Sequence, residues 1–181
     1  MATIKAKYPT WFPLVPAIGG LAYSSGVRLG KMISVSVSPE YQQASALGGG
    51  RRIFISAAVA LNTSQLTFEA YKSMFSGAGA NGELSDALGI SKRGGLAYIT
   101  GEQEDGHRFW RVHLLRDVIF IPPNESAVTF NGQVTFTTPS ISGTAWPDYI
   151  AGKWRERKDF NALAAAEAAL NMIDSNGGLT G

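Results

Sequence analysis

Apolar and polar residues alternate with a period of two over residues 31–40 (KMISVSVSPE), where Ile33, Val35 and Val37 are separated by Ser34, Ser36 and Ser38. That period puts the two sets on opposite faces of an extended strand. The serine face is small, polar and uncharged, which suits a wetted wall better than a second core. Residues 51–61 (RRIFISAAVAL) predict a second strand, with two arginines at its mouth. Between the two strands, YQQASALGGG reads as a loop ending in three glycines, Gly48, Gly49 and Gly50. Further on, two apolar-rich runs, 94–101 and 107–121, flank Asp105-Gly106, a dipeptide that favours the tight turns of hairpins. Alternation of Val134 and Phe136 with Thr135 and Thr137 predicts a strand over 128–138. Pro139 cannot donate to a ladder and is expected to end it, with Gly143 letting the chain turn away toward Trp146.

The period changes twice to three and four residues. Over 64–75, Leu66, Ala70, Met74 and Phe75 share a face, Thr63 or Ser64 can cap the start, and Gly77 follows the end, so a short helix is expected. Over 159–174, Asp159 is placed to cap a helix whose stripe is Leu163, Ala166, Leu170 and Ile173, and Gly177 stops it. Residues 1–30 hold prolines at 9, 13 and 16 and four glycines, which excludes a long helix and predicts an extended arm. Its Trp11, Phe12 and Leu14 would be exposed if the arm were free, so the arm either docks on a neighbouring subunit or packs on its own domain. Residues 76–95 are glycine-rich and predict a loop. These elements define a single, mainly β domain with two helices, an N-terminal arm over 1–30 and a C-terminal helix or arm over 148–181.

The chain of 181 residues is long enough to bury roughly 70% of its extended surface. Charged residues make up only 17%, which suggests that part of the surface is covered, and a net charge of +2 is too near neutral for a duplex binder that works by phosphate neutralisation. With no cysteine there is no disulfide or thiolate metal site, so stability must come from packing or assembly. The prolines at the front argue against a signal peptide, and no run of about 18 apolar residues predicts a membrane span.

No catalytic, cofactor-binding or metal-binding residue is assigned. His107 and His113 fall on one strand, about 20 Å apart at strand rise, too far to share a metal. Glu102, Glu104 and Asp105 read as a solvated turn rather than paired catalytic carboxylates. GGGRR at 48–52 precedes a strand, whereas a phosphate-cradling P-loop opens a helix and ends in Lys-Ser/Thr. Ser-Ile-Ser-Gly at 140–143 is not the G-x-S-x-G of a nucleophile elbow. Arg108, Phe109, Trp110 and Arg111 interleave bases and aromatics as single-strand binders do, but strand alternation accounts for the same pattern. An alternative reading of the whole is a monomeric β-barrel that binds a small apolar ligand in its mouth.

Taken in order, the alternating strand, the glycine-containing loop, the strand leading into ALNTSQLTFEAYKSMF, the hairpin ending in FWRVHLLRDVIF, and VTFNGQVTFTTPSISGTAW resemble the major tail protein of long-tailed bacteriophages, over about residues 18–160. The resemblance implies a non-enzymatic tail-tube subunit, a β-sandwich flanked by a helix, six copies of which form a ring. Rings would stack into a virion tube, made in the host bacterial cytoplasm, through which genomic DNA passes without sequence-specific binding. Partners would be other copies and the tape measure, tail tip and terminator proteins, with no membrane. On that reading Ser34, Ser36 and Ser38 face the lumen. Tyr41, Gln42, Gln43, Gly48, Gly49 and Gly50 form an inter-ring loop, and Trp11, Phe12 and Leu14 belong to an inter-subunit arm.

Overall fold

The computed structural model describes residues 2–15, 17–18, 20–44, 50–63, 66–75, 91–123, 127–130, 133–136 and 140–179. In chain order the elements are β1 (Ala2–Val15), β2 (Ala22–Tyr23), β3 (Val27–Arg28), β4 (Met32–Ala44), β5 (Arg51–Thr63), α1 (Phe68–Met74), β6 (Arg93–Glu104), β7 (His107–Phe120), β8 (Ala127–Phe130), β9 (Gln133–Phe136), β10 (Ser140–Trp146), β11 (Arg155–Phe160), α2 (Leu163–Asn171) and α3 (Ile173–Asn176). The protein is mainly β. One antiparallel sheet runs β2-β1-β6-β7-β10-β5-β4, with β3 also on β1 and β11 also on β7, and β8 pairs with β9 separately.

The alternating strands form where the pattern places them. β6 and β7 meet through a tight turn in which Asp105 (φ 49°) and Gly106 (φ 81°) are both left-handed, as a primed turn requires. Val35 of β4 faces Leu61 of β5, and Val37 faces Val59, so the apolar set of both strands points to one core. The sheet curls until β1 and β4, with four strands between them in the ladder, approach again around that core. Trp11, Leu96, Phe120 and Ile141 fill it, and α1 covers it with Ala70 and Met74. A second core lies on the opposite face of β1, β6 and β7, where Phe12, Ile99, Val112 and Leu114 meet Ala166, Leu170 and Ile173 of α2 and α3. β6 therefore has nine consecutive buried residues, the continuous apolar run of a strand covered on both faces.

Several expectations are corrected. The N-terminal segment is a strand of the sheet: Trp11 pairs with Leu96 and Phe12 with Gly95, and both side chains are buried in the chain's own core. Pro9 and Pro13 are tolerated because they still accept, from Leu29 N–H and Ser24 N–H, both at 2.8 Å. The single strand expected over 128–138 is the pair β8 and β9, with Phe130 opposite Gln133. Residues 140–146 are not an exit from the sheet but a strand in its middle, bonded to β5 on one side and β7 on the other. Gly143 serves close approach there, since a Cβ would lie 2.6 Å from the Ile119 carbonyl oxygen and 2.6 Å from the Phe120 ring. Pro139 and most of the loop expected over 76–95 lie outside the described residues, and Arg93, Gly94 and Gly95 already belong to β6.

Both helices are shorter than expected. α1 begins after Thr67, whose hydroxyl accepts from Ala70 N–H at 3.1 Å, because β5 continues through Thr63. Asp159 does not cap α2: it lies in β11, an unexpected strand, and α2 starts after Ala162 with no side-chain cap. Gly177 ends α3 in the left-handed conformation (φ 66°), as expected. The C-terminal segment packs on its own chain through the second core.

Candidate assembly surface

Three strands keep one face bare. On the side of β4, β5 and β10 away from the first core, the register aligns Ser34 with Asn62, Ser36 with Ala60, and Ser38 with Ala58, and then Asn62, Ala60 and Ala58 with Ser140, Ser142 and Thr144. Asn62 Nδ2 donates to Ser34 Oγ at 2.9 Å. Every one of these nine side chains is small and none carries a charge, and all are exposed or half-buried. β4 borders this face as an edge: among the described residues its only ladder partner is β5. Thirteen residues of unpaired edge would invite another strand, which folded chains ordinarily prevent by covering or charging it.

At one end the β4–β5 hairpin leaves the sheet. β10 accompanies β5 only as far as Ala57, and from Ser56 back to Arg51 β5 pairs with β4 alone. The skipped residue is Ile55, at a bulge between the Ser56–Glu40 and Phe54–Tyr41 pairs. The flared hairpin rests on one aromatic stack: Phe54 lies flat on Trp154 (4.2 Å, 4°), Tyr41 meets Phe54 edge-on, and the Arg155 guanidinium covers the Trp154 ring at 4.6 Å. Tyr41, Ile53 and Ile55 remain exposed on it.

Two ionic clusters, one with its β11 carboxylate half exposed and one buried, tie β11 to the body. Arg111 bridges Glu102 (2.8 Å) and Asp159 (2.6 Å), and the Thr100 hydroxyl sits 3.0 Å from Glu102 and 2.8 Å from His113 Nε2. The His113 ring stacks on Tyr98 at 4.7 Å. Burial, then the charges of Arg111, Arg155 and Arg157, push the His113 pKa down to about 3, so the ring is neutral at pH 7. In the second cluster Arg116 binds Asp148 (2.8 Å) and Glu156, and its carbonyl accepts from the Tyr23 hydroxyl at 2.8 Å. Burial pushes the Asp148 carboxyl up, but the Ala151 N–H and the Arg116 guanidinium outweigh it and hold the group below the usual range. All these charges are paired, which reads as structural cross-linking; among the described residues no group of three or more metal-ligating side chains forms.

The predicted site residues separate accordingly. Ser34, Ser36 and Ser38 are exposed together on the bare face. Tyr41, Gln42 and Gln43 are ladder residues rather than a loop, opposite Phe54, Ile53 and Arg52. Gly50 is exposed just before β5, and Gly48 and Gly49 lie outside the described residues. Trp11 and Phe12 are not available to a neighbour, and Leu14 packs half-buried against the second core. Glu102 is buried and ion-paired, leaving only Glu104 and Asp105 as a solvated turn. The strands of the runs 94–101 and 107–121 are covered on both faces over most of their length. Sequence reading missed that β10 completes the bare face; the signal was the alternation Ser140, Ser142, Thr144 against Ile141 and Ala145.

No protein-family model matches this chain, and no curated protein matches it either. Among the described residues no helix is long and apolar enough to cross a membrane.

Proposed function

We propose that the chain is a structural subunit that assembles with copies of itself into stacked rings, forming the tail tube of a long-tailed phage. The observation that carries this reading is the pairing of a three-strand patch of nine small, uncharged side chains with an open edge strand. A conduit for DNA should not hold phosphates, because each neutralised phosphate adds salt-dependent affinity and slows passage. A wall of Ser, Ala, Asn and Thr meets that demand. The open edge of β4 gives a neighbouring copy a place to extend the sheet, so that the bare faces of successive subunits join around a bore. In the virion the tube would contact tape measure, tail tip and terminator proteins and enclose the genome. The competing reading, a barrel with an apolar ligand in its mouth, would need an interior that Trp11, Met74, Leu96 and Phe120 instead fill. Negative-stain electron microscopy of the purified chain over a concentration series tests the proposal: rings or hollow tubes are expected, and a monomer at every concentration, with Trp fluorescence that responds to apolar ligands, would replace it with the alternative.

A further inference from the structure

Two large apolar side chains stand side by side in water on a braced turn. Tyr149 and Ile150 are 85% and 71% exposed in the segment that joins β10 to β11. That segment is held from several sides. Asp148 and Lys153 exchange backbone hydrogen bonds (3.0 and 3.2 Å), and the Asp148 carboxylate accepts from the Ile150 and Ala151 N–H groups, both at 3.1 Å, and from Arg116 at 2.8 Å. Gly152 takes the left-handed conformation (φ 68°) that the reversal requires. Trp146, also exposed, adds an apolar side chain at the foot of the turn, in the same row of β10 as Ser140, Ser142 and Thr144. Among the described residues no ring or cation lies against Tyr149, so the turn presents a fixed apolar knob.

The complementary feature lies beside β1. A depression of about 470 Å³ has Leu14, Val15, Ala17 and Leu21 in its lining, with Lys92 and Arg93 on one side. Arg93 gives Asp117 the edge of its guanidinium, through Nε and Nη2, and among the described residues no ring covers its planar face. A guanidinium bound along its edge still stacks an aromatic ring on that face. β7 and β6 separate β10 from β1, and Tyr149 is exposed, so the turn does not fill the depression of its own chain. Because β1 and β4 approach each other again, the bare strands β10, β5 and β4 lie between the turn at one border and the depression at the other. We infer that the Tyr149–Ile150 turn seats in this depression on a second copy of the chain, with Tyr149 on the Arg93 guanidinium and Ile150 against the apolar lining. A copy joined at each border sets the bare faces side by side, and a contact between unlike surfaces repeats until a ring closes. The inference rests on the self-assembly reading and names a lateral contact within it.

Substitutions on the two surfaces test it separately. Tyr149→Asp with Ile150→Asp, and Val15→Asp with Ala17→Asp, change only exposed positions, so the circular dichroism and Tm of either monomer should match the wild type. Each pair should raise the concentration needed for assembly, read by sedimentation and electron microscopy, by about tenfold or more. Arg93→Lys keeps a cation on Asp117 but loses the planar face, and should raise it about twofold to fivefold. Tyr149→Phe keeps the ring and should assemble as the wild type does. Wild-type-like assembly of the Tyr149→Asp, Ile150→Asp variant would overturn the contact while leaving the tube reading in place. Impaired assembly of that variant alone, with the Val15→Asp, Ala17→Asp variant unaffected, would seat the turn elsewhere on the neighbour and overturn the pairing too. A wild type that stays monomeric at every concentration overturns the tube reading, and this contact with it.

Discussion

The two halves of one sheet are finished differently. β1, β6 and β7 are covered on both faces, by the first core and by α2 and α3, whereas β4, β5 and β10 are covered on one. The covered half has large side chains on both faces; the bare half has Val35, Val37, Val59, Leu61 and Ile141 on one face and, on the other, a patch of nine Ser, Ala, Asn and Thr side chains bordered by the exposed Glu40 and Trp146. A chain able to shield one half with its own helices leaves the other as polished wall beside an open edge. The difference places the self-contained function, stability, in the first half and the outward function in the second.

That division can be broken most strongly at its ionic fastening. Arg116→Ala strands Asp148 and Glu156, which are 2% and 9% exposed, and is expected to cost about 3–5 kcal/mol, read as a large fall in Tm. Leu170→Ala, beneath the covered half, should cost about 2–5 kcal/mol by opening a cavity against β6 and β7. A mild effect of either on denaturant midpoint would mean that α2 and α3 are accessory to the fold.

Acid tests the same half. His113 is neutral in the folded chain with a pKa near 3, against 6.5 unfolded, so the unfolded state takes up the proton first. Its contribution is full above pH 6.5 and is lost as pH falls toward 3, at up to about 1.4 kcal/mol per unit. Asp148 and Asp159 are held below the usual carboxylate value of 3.8, so their contribution is lost only lower down. Stability measured by denaturation between pH 6.5 and 4.5 should therefore fall, and His113→Phe, which keeps the stack on Tyr98, should flatten the profile. The smallest effect belongs to the bare half: Ala60→Ser or Ser142→Ala should change monomer stability by less than about 0.5 kcal/mol. A larger loss would show that the face is packed against its own chain.

What could be read from residues followed the alternation. Strands 31–40 and 51–61, the Asp105-Gly106 turn and the Gly177 stop have simple signals, and each is where the pattern put it. β1 was hidden because Pro9 and Pro13 look like breakers, although a proline carbonyl still accepts from a flanking strand. β11 was hidden because RERKDF has no apolar period; Glu156 on one face and the more exposed Asp159 on the other are fixed by Arg116 and Arg111, and a charge that will be paired looks like a charge left in water. Of the candidate surface, the serine row was legible in β4. Its extension across β5 and β10 was not, because register is a property of the folded sheet.

The most direct test exploits the lack of cysteine. A Ser36→Cys variant carries a unique thiol on the bare face, which can be labelled with biotin-maleimide and challenged, after assembly, with streptavidin, a protein too large to follow the label into a bore. Assembled tubes are expected to carry biotin yet show no streptavidin along their walls by electron microscopy; streptavidin decorating the tube exterior would contradict the assignment of this face to the lumen.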